Sequence, residues 1–167
     1  MDEIADAAKV SRRTLFRLFP SKAELVWEGL DRVLVGVKVH ATSGQGRSLQ
    51  EAMVALFSEG LRALESPAHA AIARRRLRII AGAPALLGHP ALARLEALLA
   101  QIVERHRESG SPPAALVARS LFGVGLAALF WWAESDGAMS PQAALSSALT
   151  ALGALGGRQR RRGRSSG

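Results

Sequence analysis

Between Lys9 and Lys22 the chain carries five cations, Lys9, Arg12, Arg13, Arg17 and Lys22, and no acid. With Thr14 among them, the spacing places guanidinium and hydroxyl donors on and around one short helix. Arginine forks match guanine edges and phosphate oxygens, and a threonine hydroxyl can serve either. The chemistry these residues support is recognition of a polyanion. Bond-making chemistry is not expected elsewhere. The four histidines, His40, His69, His89 and His106, have no metal-ligand spacing, and no carboxylate pair flanks them. There is no His-Glu-x-x-His and no glycine-rich phosphate loop ahead of a helix. The absence of cysteine removes thiolate nucleophiles, disulfides and zinc–cysteine sites, and the absence of tyrosine removes phenolic acid–base catalysis. No catalytic residue, metal or cofactor is therefore expected, and the chain does not read as an enzyme.

The length of 167 residues fits one main unit with a small appendage, and it suffices for a real core. The net charge is +8 and the pI near 11.4, which points to nucleic acid first and a membrane surface second. Five of those charges, Arg158, Arg160, Arg161, Arg162 and Arg164, sit in the last ten residues, so the rest of the chain keeps only +3. The basicity is two local clusters on a nearly balanced body. A third run, Arg74, Arg75, Arg76 and Arg78, is different, because four positions in five cannot share a helix face. It reads as solvated ion-pairing residues or as a cationic lip over a pocket.

The elements that must position these residues are helices. Ala (31) and Leu (24) make up one third of the chain, and both are strong helix formers, while β-branched and aromatic residues are few. Asp2 to Lys9 reads as a short helix with acids at its front. Ser11 caps a second, Arg12 to Leu18. Ser21-Lys22-Ala23-Glu24 reads as a capping box opening a long helix to about His40. After the Thr42–Gly46 loop, Ser48 to Leu64 is amphipathic through Leu49, Met53, Leu56, Phe57, Leu61 and Leu64. Helices are predicted at Ala70 to Ile80 and Ala91 to Arg107. Ala114 to Glu134 is nearly all apolar, and Pro141 starts a last helix ending near Leu155. Ala114 to Ala133 has the length of a membrane span, but Arg119 and Ser120 cut its uninterrupted apolar part to Leu121–Ala133, which favours a buried core helix. No basic-then-apolar leader follows Met1.

The first two helices, with a short turn between them, form a helix-turn-helix. Ile4, Ala5 and Ala8 give the first its apolar face, Val10 plugs the turn, and Leu15 and Phe19 give the second its buried face. Arg12, Arg13, Thr14 and Arg17 are then left outward. The series Asp2-Glu3-Ile4-Ala5, Ala8, Val10-Ser11, Thr14-Leu15-Phe16, Phe19, Ser21-Lys22 and Glu24-Leu25 resembles the DNA-binding signature of the tetracycline-repressor (TetR) family of bacterial regulators. The resemblance implies a dimeric, ligand-responsive repressor that binds a palindromic DNA operator. It places Ser11, Arg12, Arg13, Thr14, Phe16, Arg17 and Lys22 at the DNA. Phe16 stands where a tyrosine is frequent, Leu18 where tyrosine or histidine is frequent, and Lys9 where the turn usually has glycine. A left-handed Lys9 would carry strain of order 1 kcal/mol. The family's DNA-binding unit has a further helix before this motif, so the chain is expected to lack the first helix.

The resulting expectation is an all-α protein with three parts. Residues 1–27 are the helix-turn-helix part, 28–155 a helical ligand-binding and dimerisation domain, and 156–167 a disordered arginine-rich tail able to add nonspecific phosphate contacts. An effector pocket is expected around Phe57, Leu61, Arg75, Leu99, Phe122 and Trp131, suited to a small hydrophobic or acyl-CoA-like molecule. A homodimer interface is expected at Ala118, Phe122, Gly125, Leu129 and Trp132 together with Leu145, Leu149 and Leu152. The long helix from Lys22 would link ligand to DNA. The setting is cytoplasmic, without a membrane. The alternative is a helical ligand-binding or interaction dimer with no DNA activity, because of the missing helix.

Overall fold

The computed structural model describes residues 1–29, 34–36, 38–39, 49–62, 64 and 66–162, without the side chains of 50, 51, 54, 55, 59, 60 and 152–162. All regular structure among them is helical. Three short helices come first: α1 (Asp2–Ala7), α2 (Arg12–Leu18) and α3 (Lys22–Val26). The bundle follows, built from α4 (Leu49–Arg62), α5 (Pro67–Ala81), α6 (Pro90–Arg105), α7 (Ala114–Glu134) and α8 (Pro141–Arg162). A 3-10 segment, Pro84–Gly88, joins α5 to α6. Proline opens α5, α6 and α8, where its missing N–H costs nothing and its fixed φ suits a first turn. The loop predicted at Thr42–Gly46, and His40, lie outside the described residues.

The core surrounds α7. Met53 and Leu56 of α4, Leu99, Ile102 and Val103 of α6, and Ala114 and Ala118 of α7 form one buried cluster. Leu61, Ala128 and Leu145 form a second, and Ala70, Trp132 and Ala144 a third. The amphipathic face predicted for α4 is the face that packs: Met53, Leu56 and Leu61 are buried, with Leu49, Phe57 and Leu64 against them. Small residues on α7 let neighbours approach. A Cβ at Gly125 would lie 3.1 Å from Cε1 of Phe57. α7 is long and apolar enough to cross a membrane by length and composition, and in this fold it packs against α5, α6 and α8.

Three expectations are corrected. The helix opened by Ser21 does not run to His40; it ends at Val26 with Trp27 as its C-cap, and Gly29 takes φ +89°. Contacts with the bundle engage Trp27 and Glu28, and a glycine two residues on makes the left-handed turn inexpensive. The last helix does not stop near Leu155. It continues through Gly156 and Gly157 to Arg162. Two glycines cost about 1 kcal/mol each relative to alanine, but an established helix propagates through them into Arg and Gln, which favour it. Residues 163–167 lie outside the described residues. Finally, Val10 does not plug the turn, being 38% exposed; the turn is held by backbone, with Val10 N–H donating to the Ala5 carbonyl.

Candidate nucleic-acid interface

The helix-turn-helix segment is assembled mainly from local devices. Ser11 Oγ accepts the Thr14 N–H at 3.1 Å and lies 2.8 Å from Thr14 Oγ1, so both side chains serve the α2 cap. Ser21 Oγ accepts the Glu24 N–H at 3.1 Å and starts α3. Between α1 and α2, Lys9 adopts φ +53°, the left-handed conformation expected where a glycine is usual. Ala5 and Leu15 are buried between the two helices, Ile4 and Phe19 are half-buried, and Ala8 is exposed.

With Leu15 inward, α2 turns its other faces out. Arg12, Arg13, Phe16 and Arg17 are exposed, as is Lys22 at the start of α3, and Thr14 is half-buried. Arg12 differs from its neighbours. Its Nε lies 3.0 Å from Oδ1 of Asp2, and its guanidinium carbon is 5.5 Å from the Phe16 ring centroid. Arg13 and Arg17 have no ion pair among the described residues, and their donors face solvent. Ser11 and Thr14 have less to offer than their position implied, because the cap already engages both hydroxyls. Leu18, on the same helix, is exposed and apolar.

A second site, which the sequence did not reveal, joins this segment to the bundle. Trp27 Nε1 donates to the Leu86 carbonyl at 2.9 Å, and its ring lies 6.3 Å from that of His89. His89 Nε2 lies 3.2 Å from Oε1 of Glu24, while its Nδ1 accepts the Ala91 N–H at 3.3 Å and caps α6. His89 Nε2 is buried beside that carboxylate without a hydrogen-bond partner among the described residues. Arg76 completes the junction by donating to the Glu28 carbonyl and to Glu28 Oε2, both at 2.9 Å. The only sequence signal was negative: neither Trp27 nor His89 had a helical-face role, and their partners lie about sixty residues away.

The arginine run on α5 is dispersed as its spacing required. Arg74 lies over the Trp132 ring, 5.6 Å from its centroid. Arg76 reaches the junction. Arg78 donates to the Ala133 carbonyl at 2.9 Å and pairs with Asp136, closing the end of α7, where a cation complements the helix dipole. Arg75 is exposed. Of the residues expected to line a pocket, Phe57, Leu61, Leu99 and Phe122 converge in the bundle interior, with Phe57 touching both the first and second clusters. Arg75 and Trp131 do not join them; Trp131 is 45% exposed on the outer side of α7.

The stripe expected to meet a second copy is inward instead. Ala118, Gly125 and Trp132 are buried within their own chain, and Phe122 and Leu129 pack against the same clusters. Leu145 is buried in the second cluster with Leu149 packed on it, and the side chain of Leu152 lies outside the described residues. The reason is rotational. α7 is nearly all apolar, with only the exposed Arg119 and Ser120 to mark an outer side near its start, so periodicity did little to distinguish its buried face, and the amphipathic partners α4 and α6 chose the side carrying small residues. The face left outward carries Leu116, Ser120, Gly123, Ala127 and Trp131.

Residues 1–28 match the family model described as bacterial regulatory proteins, tetR family. No curated protein matches the chain. The matched residues span α1, the left-handed turn, α2 with its outward arginines, and α3. Residues 1–28 are therefore similar to the DNA-binding segment of TetR-type transcriptional regulators.

Proposed function

We propose that the chain is a ligand-responsive repressor that works as a homodimer in the cytoplasm, apart from any membrane. It binds a palindromic operator by placing the outer face of α2 in the major groove. The observation that supports this most is the combination of a buried Leu15 with Arg12, Arg13 and Arg17 turned outward from the same seven-residue helix. Those donors suit base edges and phosphates, and Lys22 suits a phosphate. Ser11, Thr14 and Phe16 act by shaping the helix and its arginines.

The dimer surface is the outward stripe of α7, Leu116, Ser120, Gly123, Ala127 and Trp131, which replaces the inward stripe. The effector is small and hydrophobic, acyl-CoA-like, taken up among Phe57, Leu61, Leu99 and Phe122. Since α3 ends at Val26, transmission runs through the junction of Trp27, Glu28, Arg76 and His89 rather than along one long helix. A ligand that shifts α5 or the 3-10 segment changes the separation of the two α2 helices, so half-sites ~34–36 Å apart are no longer spanned. Ligand and DNA then weaken each other by the same factor.

Gel shifts on the native promoter test the DNA reading. Arg12→Ala and Arg17→Ala should weaken binding and relax sequence preference. Lys22→Ala should weaken binding uniformly and lower the salt slope by ~0.9. If all three variants bind like the parent, α2 is not the reading helix. Sedimentation tests the dimer: Leu116→Glu should yield monomers, and an unchanged mass would exclude this face.

A further inference from the structure

We propose that Asp2 is a positioning residue for base recognition, orienting Arg12 for an end-on contact with a guanine edge. The inference rests on the DNA reading of α2. Arg12 Nε lies 3.0 Å from Oδ1 of Asp2, a residue of α1, and its guanidinium carbon lies 5.5 Å from the centre of the Phe16 ring. A carboxylate and an aromatic face thus hold one guanidinium from two directions.

The contact does little for the fold. The Arg12 and Asp2 side chains are 67% and 64% exposed, and such pairs contribute almost nothing in water. An acid beside a phosphate-binding surface also works against nonspecific affinity, because it repels the DNA backbone. It is selective as well. The segment from Lys9 to Lys22 contains no acid, and Asp2 reaches across from another helix to Arg12, while Arg13 and Arg17 have no ion pair among the described residues. Asp2 also suits the N-terminus of α1, but its pairing with Arg12 adds neither stability nor general affinity, and a carboxylate that engages one arginine of three is placed to govern what that arginine does.

The geometry says what that is. A guanidinium presents five N–H groups in a rigid fork. With Nε the nitrogen nearest Asp2, as an ion pair at 3.0 Å, the edge formed by Nη1 and Nη2 remains for a partner. Two parallel donors on that edge match O6 and N7 of guanine, whereas a side-on contact would need Nε itself. Holding the fork before binding also reduces the side-chain freedom lost on binding. Arg12 is therefore poised before binding to read a base, whereas Arg13 and Arg17 are not held in advance.

The test uses the full chain. Duplexes selected from a randomised double-stranded library by the parent protein are compared with a scrambled duplex. Binding of both is measured for the parent, Asp2→Asn, Asp2→Glu, Arg12→Ala, and Asp2→Asn combined with Arg12→Ala. Asp2→Asn should lower the selected-to-scrambled affinity ratio about fivefold or more, the lower end of what one bidentate arginine–guanine contact confers. The loss should concentrate at one guanine position, with scrambled-duplex affinity unchanged or tighter. Asp2→Glu should recover part of the ratio. In the Arg12→Ala background, Asp2→Asn should leave the ratio unchanged. A ratio that stays constant or rises with Asp2→Asn overturns the proposal, since Asp2 would then be only a repelling or sequestering charge. An equal fall with and without Arg12 also overturns it. If the parent chain itself does not discriminate between the duplexes, the DNA reading fails, and the proposal with it.

Discussion

Residues 1–29 bury two side chains fully, Ala5 and Leu15, whereas α7 alone buries Ala114, Ala118, Gly125, Ala128, Trp132 and Ala133. The first region is held by serine caps, a left-handed turn and three polar contacts to the bundle. The second is held by apolar packing on several sides of one helix. Burial scales with the stabilisation available from the hydrophobic effect, so the bundle can tolerate surface change and the helix-turn-helix cannot spare its local devices. A reading segment built this way stays exposed enough to meet DNA, and its orientation depends on whatever it leans on. Here it leans on Arg76, Leu86 and His89.

The contrast can be broken most severely at Trp132. Trp132→Ala should destabilise the bundle by ~3–5 kcal/mol in chemical denaturation, because it removes a fully buried ring and leaves a cavity. Trp131→Ala, one residue away on the outer face, should change stability by under ~0.5 kcal/mol in a monomer. Equal effects from the two would mean that the assigned rotation of α7 is wrong. A smaller effect is expected at the junction. Trp27→Phe keeps an aromatic ring, though a smaller one, and removes the donor to the Leu86 carbonyl, costing ~1 kcal/mol. Hydrogen exchange should then speed up in α1 to α3 and stay constant in α6 and α7; uniform acceleration would argue against separable regions. The smallest effect has the opposite sign. Lys9→Gly should stabilise the chain by ~0.5–1 kcal/mol, as relief of left-handed strain outweighs glycine's extra unfolded entropy. A loss of stability would show that Lys9 is not strained at φ +53°.

Much of this molecule was legible residue by residue. Ser11 as the cap of α2, Ser21 as the cap of α3 and the span of α7 follow from neighbours within a few positions, while the left-handed Lys9 was implied by the family resemblance, which has a glycine there. The packing face of α4 followed from its amphipathic spacing. The arginine run on α5 was legible in part: its dispersal was required by geometry, but its partners were not named by it.

The sequence by itself determined where most of the helices start, though α5 opens at Pro67 rather than Ala70, that they are helices, and which short segment carries the outward arginines. These depend on local hydrogen bonding and on the period of the apolar residues, and both are written along the chain. The tertiary structure decided which face of the nearly all-apolar α7 is buried, where the helix from Lys22 ends, and how Arg12 is held. Each of those depends on a partner distant in sequence: α4 and α6 for α7, Leu86 and Arg76 for Trp27 and Glu28, and Asp2 of a separate helix for Arg12. When a helix has almost no polar face to mark its outside, or an exposed cation has several possible acceptors, the pattern along the chain is degenerate, and packing makes the choice.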